Sequence, residues 1–277
     1  MEFDYYTAIK AGNIFGKNVL VEFGATIGQN NVFLDNCIIR SSCVIGSDNC
    51  FSDNVVLGAI PREKFQGAGP GKKITASPKI IIGNHNLIED SVVVQLPLEG
   101  VTKIGDEVCI GAFTHIAHDV TIEDHVTTAS HCSIGGYSII MLHANLGMGA
   151  RIHQRTVVGS WAMIGAGGVV VKHVMPYSTV VGVPAKYLHI NRVGLERDGR
   201  SDDEIGLIDQ WLTSKGVSVL PDAVSNSIRM FKQALRIWYR DKGTVPDSDL
   251  NQFLRGAKEY YGCTNLPEWR ITKWRLR

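Results

Sequence analysis

The 277-residue sequence holds nine histidines, and three of them stand where they could do chemistry. His115 and His118 lie in the segment THIAHD, with Asp119 directly after the second, and His153 precedes Gln154 in IHQRTVVG. Imidazole titrates near neutrality, so a histidine can take a proton from a hydroxyl or an amine at physiological pH. An adjacent carboxylate can orient the ring or stabilise its charged form. His118 with Asp119 is therefore the candidate general base. His85 and His131 have no second feature beside them, while His125, His143 and Trp161, each 18 residues from the next, read as a stacked column.

The elements that must position these residues are set by a six-residue period. Bulky apolar residues recur six apart from Phe3 through Ile9, Phe15, Val21, Ile27, Phe33, Ile39, Ile45 and Phe51 to Leu57. The period resumes at Ile82, Ile88 and Val94, and then runs from Ile104 to Val170 with Thr128 as the one break. Four residues after each bulky position the later run carries a small or β-branched residue, such as Val108, Thr114, Cys132, Ala144 and Gly168. Neither a helix nor simple strand alternation has this period. It implies an all-β, left-handed parallel β-helix in which three hexads make one triangular coil, so that residues 18 apart stack in columns. Glycine, asparagine and aspartate supply the corner conformations.

The columns bring the candidate residues together. Gly136 and Gln154 lie 18 and 36 residues beyond His118, and Gly135 lies 18 before His153. His118 and His153 thus occupy neighbouring columns across Gly135 and Gly136, whose missing side chains are expected to leave room for a substrate. The Gly136 N–H is a candidate oxyanion donor, a role that contributes roughly 3 kcal/mol where it has been measured. Two loops leave the stack, between Leu57 and Ile82 and between Val94 and Ile104. The first, GAIPREKFQGAGPGKK, contains Arg62, Glu63 and Lys64 and is either suited to an anionic ligand or a solvated excursion.

Beyond Val183 helical signals replace the period, which divides the chain into a β-helix domain at 1–183 and a linker with a small C-terminal α-helical domain at 184–277. Ser201 and Glu204 form a capping box for a helix that Gly216 would end. A second helix is expected over 222–242, with Ile228, Phe231, Leu235 and Trp238 on one face, and a third over 248–261. The net charge of +1 gives no footprint for nucleic acid or an anionic membrane. The start MEFDYYTAIKAG lacks a signal-peptide pattern, no run is long enough to span a bilayer, and six cysteines form no CxxC pair. A soluble cytoplasmic protein with free thiols is expected. Flat prism sides and glycine-rich clefts point to a homotrimer with each cleft between two subunits.

The repeat signature, IGQNNV, IGSDNC, IGNHNL, IGDEVC and IGAFTH among others, resembles the hexapeptide-repeat, left-handed β-helix family across roughly residues 1–180. More narrowly, the chain resembles the UDP-N-acetylglucosamine O-acyltransferases of lipid A synthesis. THIAHD resembles their catalytic segment, which implies that His118 is the base with His115 beside it. IHQ implies that His153 and Gln154 line an acyl and pantetheine region. GAIPREKFQG is similar to their sugar-binding segment, Asn191 and Arg197 match nucleotide-contacting positions, and Ala166 stands where a glycine measures the acyl chain. A sugar pyrophosphate would meet Arg62, Lys64 and Arg197.

The departures from that pattern are Arg62-Glu63 for a glutamine-aspartate pair, Gln95-Leu96-Pro97 for His-Arg-Gly, Tyr137 for a histidine and Val193 for a glutamate. They favour a paralogue that N-acylates a UDP- or dTDP-linked amino sugar, with 3-O-acylation of UDP-N-acetylglucosamine as the alternative. The donor is acyl-CoA or acyl carrier protein, with no tightly bound cofactor and no metal. Two other classes compete: a γ-type carbonic anhydrase with zinc on His115 and His118, and a non-catalytic scaffold.

Overall fold

The computed structural model describes residues 2–62, 79–213 and 222–239. Within them, short strands from Ile14–Phe15 to Lys186–Ile190 line up in three sheets of ten, eight and seven strands. The chain visits the three faces in rotation, building the left-handed β-helix that the six-residue period implies. Registers step by 18 residues, as in His115 opposite Ser133, Ser133 opposite Arg151 and Arg151 opposite Val169. At the two interruptions the step lengthens: the bond from the Ser47 N–H to Asn84 spans 37 residues and that from the Asn84 N–H to Asp106 spans 22.

From Phe15 on, the coils turn their bulky residues inward; the start of the period does not, since residues 5–10 form a helix and leave Ile9 exposed. Phe15, Phe33 and Phe51 stack face to face at 5.2 and 4.8 Å; Ile88, Ile110, Leu146 and Ile164 line the same sheet, fully buried. Burying such side chains stabilises by about 1.5–3 kcal/mol apiece. Thr128 also points inward, and its hydroxyl accepts the Gly111 N–H at 3.1 Å, so the break in the apolar period leaves no unmet polar group.

The corners use two devices where the sequence suggested one. Glycine directly after the inward residue permits close stacking: a Cβ on Gly135 would lie 2.5 Å from the Gln154 nitrogen. The left-handed conformation falls two residues later. Asn18, Asn36 and Asp48 hold it in early coils, but His125, Tyr137, Arg155 and Trp161 hold it in later ones. Asparagine and aspartate tolerate that region readily, whereas the bulkier residues are kept there by the ladder bonds on either side.

Helix α1 (Tyr5–Lys10) closes one end, with Tyr5 edge-on to Phe15 at 5.2 Å. At the other end Ser178–Val181 pairs antiparallel with Lys186–Ile190 and leads into α2 (Arg192–Arg197), α3 (Asp202–Thr213) and α4 (Asp222–Tyr239). The capping box forms before α3: the Ser201 N–H donates to Glu204 at 3.0 Å and the Glu204 N–H to the Ser201 hydroxyl at 3.3 Å. Helix α4 buries Phe231 and Leu235, and the Tyr177 hydroxyl bonds Ser227 on it at 2.7 Å. Gly216 and the helix expected over 248–261 lie outside the described residues. Among the described residues no helix is long and apolar enough to cross a membrane.

Candidate active site

His118 is the first corner residue after the strand His115–Ile116, where the second sheet gives way to the third. It is buried, and its Nδ1 lies 3.0 Å from Asp119 Oδ2. Asp119 follows in the left-handed conformation, with its own N–H donated to the Thr102 hydroxyl at 2.9 Å. Its carboxylate accepts the amides of Leu98 at 2.8 Å, Glu99 at 3.1 Å and Gly100 at 2.7 Å, all on the second ejected loop. Burial pushes this carboxyl upward, yet the His118 bond and the three amides outweigh it and hold the group below the usual carboxylate range. An ionised Asp119 accepts the Nδ1–H, which leaves the His118 Nε2 lone pair as the basic one.

Gly136 sits one coil beyond. A Cβ there would come within 2.5 Å of His118 Cε1 and 2.7 Å of Nε2. Glycine is thus required, though not for the reason the columns suggested. The room expected for a substrate above His118 is taken by the imidazole itself, packed flat against the next coil. In some coils the equivalent N–H is capped by a side chain, as Asp106 is by Asp124 at 2.9 Å and Leu142 by Glu123 at 2.9 Å, whereas at Ser130, Met148 and Gln154 it meets no acceptor among the described residues. The Gly136 carbonyl accepts the Arg155 N–H at 2.8 Å, but among the described residues its own N–H has no acceptor.

Tyr137 meets the His118 ring edge-on, with centroids 5.0 Å apart and an interplanar angle of 82°. Arg155 lies over the other ring, its guanidinium carbon 4.4 Å from the Tyr137 centroid. Burial, the charges of Asp119 and Glu99 and a hydrogen bond to Glu99 push the Tyr137 phenol well above its ordinary range, against the pull of Arg155. His153 and Gln154 lie exposed in the coil beyond Gly135 and Gly136, and His153 Nδ1 is 3.0 Å from the Gln154 carbonyl. His115 projects from the outer face of its strand, half-buried, and burial lowers its pKa so that the neutral ring is favoured.

The remaining candidates sit elsewhere in a single chain. Ala166 is exposed, after Met163–Ile164, at the corner between the first and second sheets. Asn191 caps α2 by accepting the Gly194 N–H at 3.2 Å and donates to the Trp161 carbonyl at 2.9 Å, so both ends of its amide serve the fold. It lies by the corner between the third and first sheets. There His125, His143 and Trp161 stack at 4.5 and 4.0 Å, the column that their spacing implies. Arg197 is exposed in the last turn of α2, and Arg62 is exposed just past the strand Val56–Ala59; Glu63 and Lys64 lie outside the described residues. No group of three metal-ligating side chains comes together among the described residues.

Sequence reasoning missed Glu99, Thr102 and Arg155. Arg155 was computable, 18 residues beyond Tyr137. Glu99 lies in an ejected loop, which no column governs.

The bacterial transferase hexapeptide (six repeats) family matches residues 102–136, the stretch that carries His115, His118, Asp119 and Gly136. The six-residue repeats in that stretch are of that family's kind. The acyl-[acyl-carrier-protein]–UDP-N-acetylglucosamine O-acyltransferase of Alkalilimnicola ehrlichii is 35% identical over 138 residues, 48% of this chain and 54% of that one. The chain spans about half the length of the curated relatives it matches. Among solved structures, the UDP-N-acetylglucosamine acyltransferase of Bacteroides fragilis superposes with a TM-score of 0.60 at 23% identity, covering 79% of this chain and 91% of that one. That of Francisella novicida gives 0.56 at 23% identity, covering 88% and 91%. These likenesses fix the fold.

Proposed function

We propose that this protein is an acyltransferase that moves an acyl group from an acyl-carrier-protein thioester to a sugar hydroxyl of UDP-N-acetylglucosamine. The observation that carries the reading is the buried His118–Asp119 pair packed against Gly136, whose N–H is uncommitted among the described residues. His118 Nε2 takes the proton from the sugar hydroxyl as its oxygen attacks the thioester carbonyl. The Gly136 N–H donates to the tetrahedral oxyanion, a contribution of about 10²–10³ in rate where one such donor has been removed. Collapse breaks the C–S bond, and the thiolate recovers the proton from the imidazolium, leaving ester and thiol.

The names of the relatives support O-acylation of UDP-N-acetylglucosamine over the amino-sugar acceptor favoured by the sequence departures. Tyr137 and Arg155, set beside His118, are the observation on the other side, since they reshape the acceptor's surroundings. We further infer a cytoplasmic homotrimer: Ala166 and Asn191 lie at other corners than His118 and Arg197 lies on α2, so a neighbouring copy would bring them to it. A panel of UDP-N-acetylglucosamine and UDP- and dTDP-amino sugars, each with acyl carrier protein and acyl-CoA donors of several lengths, tests the reading. An alkali-labile ester on UDP-N-acetylglucosamine supports it; an alkali-stable amide on an amino sugar, with no ester formed, replaces it by the second reading.

A further inference from the structure

The Nδ1 side of the His118 imidazole is held by more than Asp119. The loop amides at 98–100 converge on the Asp119 carboxylate, and the Glu99 side chain of that same loop lies by the Tyr137 phenol, whose pKa its charge and hydrogen bonding help to raise. Tyr137 returns to the base, its ring edge-on to His118 at 5.0 Å and its backbone N–H donated to the His118 carbonyl at 3.1 Å. The contacts therefore close a circuit from His118 through Asp119, the loop, Glu99 and Tyr137 back to His118. Arg155 lies 4.4 Å over the Tyr137 ring and backs it from the next coil. The left-handed backbone at Tyr137, φ 60°, is shared by the other corner residues in its column position, so the fold explains the backbone but not the choice of a tyrosine.

We propose that Tyr137 and Glu99 are positioning residues, a brace that locks the second ejected loop to the coil and so fixes the imidazole with Nδ1 on Asp119 and Nε2 beside Gly136. The physical case is that Asp119 alone leaves the ring free to swing about one hydrogen bond. Tyr137 blocks that swing on one side and Gly136 receives the ring on the other. The loop, which would otherwise read as an excursion, becomes part of the site. An acid at position 99 matters because a neutral phenol donates best to an ionised acceptor.

This inference rests on His118 being the base, and its test has one arm that needs no turnover. In protein labelled with 15N-histidine, the His118 Nδ1–H should give a solvent-protected resonance in the wild type. Tyr137→Phe keeps the ring and its stacking but loses the Glu99 bond; Glu99→Gln keeps the oxygen and loses the charge. Both should broaden that resonance or speed its exchange while the thermal midpoint stays near the wild-type value. In the kinetic arm, Tyr137→Phe should lower kcat by about threefold to tenfold with KM unchanged, and should have no further effect in a His118→Ala background. An unchanged resonance in both variants overturns the brace, as does an equal loss of kcat with and without His118. Should the wild type turn over no substrate while the resonance responds as expected, the brace stands and the proposed reaction falls.

Discussion

At the scale of single residues, the account turns on three side chains whose types cannot be exchanged. Gly136→Ala places a methyl where the His118 ring now lies, so the imidazole must move. Activity should fall by about 10²-fold or more while far-ultraviolet circular dichroism and the melting temperature change little, because the coil itself is not displaced. Asp119 makes a different prediction. Its folded pKa is depressed, so its contribution to stability is complete above the ordinary carboxylate value of about 4 and is lost as pH falls through the lower folded value. The Tm gap between wild type and Asp119→Asn should therefore be widest near pH 7 and shrink toward pH 3; a gap independent of pH would mean that the carboxylate's charge is not what holds the loop. The proximity of His118, Asp119 and Gly136 was legible in the sequence, since two of them are adjacent and the third lies one 18-residue step away. The imidazole's packing against Gly136 was not. A column says which residues are neighbours but not which of them fills the space between.

At the scale of elements, the six-residue period specified the coils because each hexad must bury one bulky and one small residue, and the register followed from the strands stacking in phase. The loops carry no period, which is why Glu99 went unnoticed while Asp119 did not; Thr102 lies in the strand Val101–Ile104, just ahead of the inward Ile104 where the period resumes. The corner column of His125, His143 and Trp161 shows the same logic at work in stability. Burial and the neighbouring His125 charge lower the His143 pKa, with Asp198, Glu107 and Asp124 opposing them. A histidine with a depressed folded pKa stabilises the fold above its unfolded value, near 6.5, and loses that contribution as pH drops. Denaturant melts of the wild type should accordingly show stability falling from pH 7.5 to 5.5, and His143→Phe should flatten that slope while keeping the stack. An identical slope in the variant would remove the column as its cause.

At the scale of the whole molecule, one chain distributes its candidate groups over three corners of a prism, and a trimer would give each its counterpart from a neighbour. Multi-angle light scattering at micromolar concentration should return three times the monomer mass of 30.4 kDa; a monomer would separate Ala166, Asn191 and Arg197 from the site around His118. If the trimer forms, the exposed side chain of Ala166 should limit acyl length, and Ala166→Met should shift donor preference to shorter chains, each excluded methylene forfeiting about 0.8 kcal/mol of burial. Unchanged donor profiles in a well-folded Ala166→Met protein would remove that residue from the groove. Proton acceptance by His118 during acyl transfer is measured by single-turnover formation of acylated UDP-N-acetylglucosamine from acyl-loaded carrier protein, wild type against His118→Ala. The account predicts an ester product whose rate falls by about 10²- to 10⁴-fold in the variant with acceptor affinity preserved, whereas a variant within threefold of the wild type would contradict it.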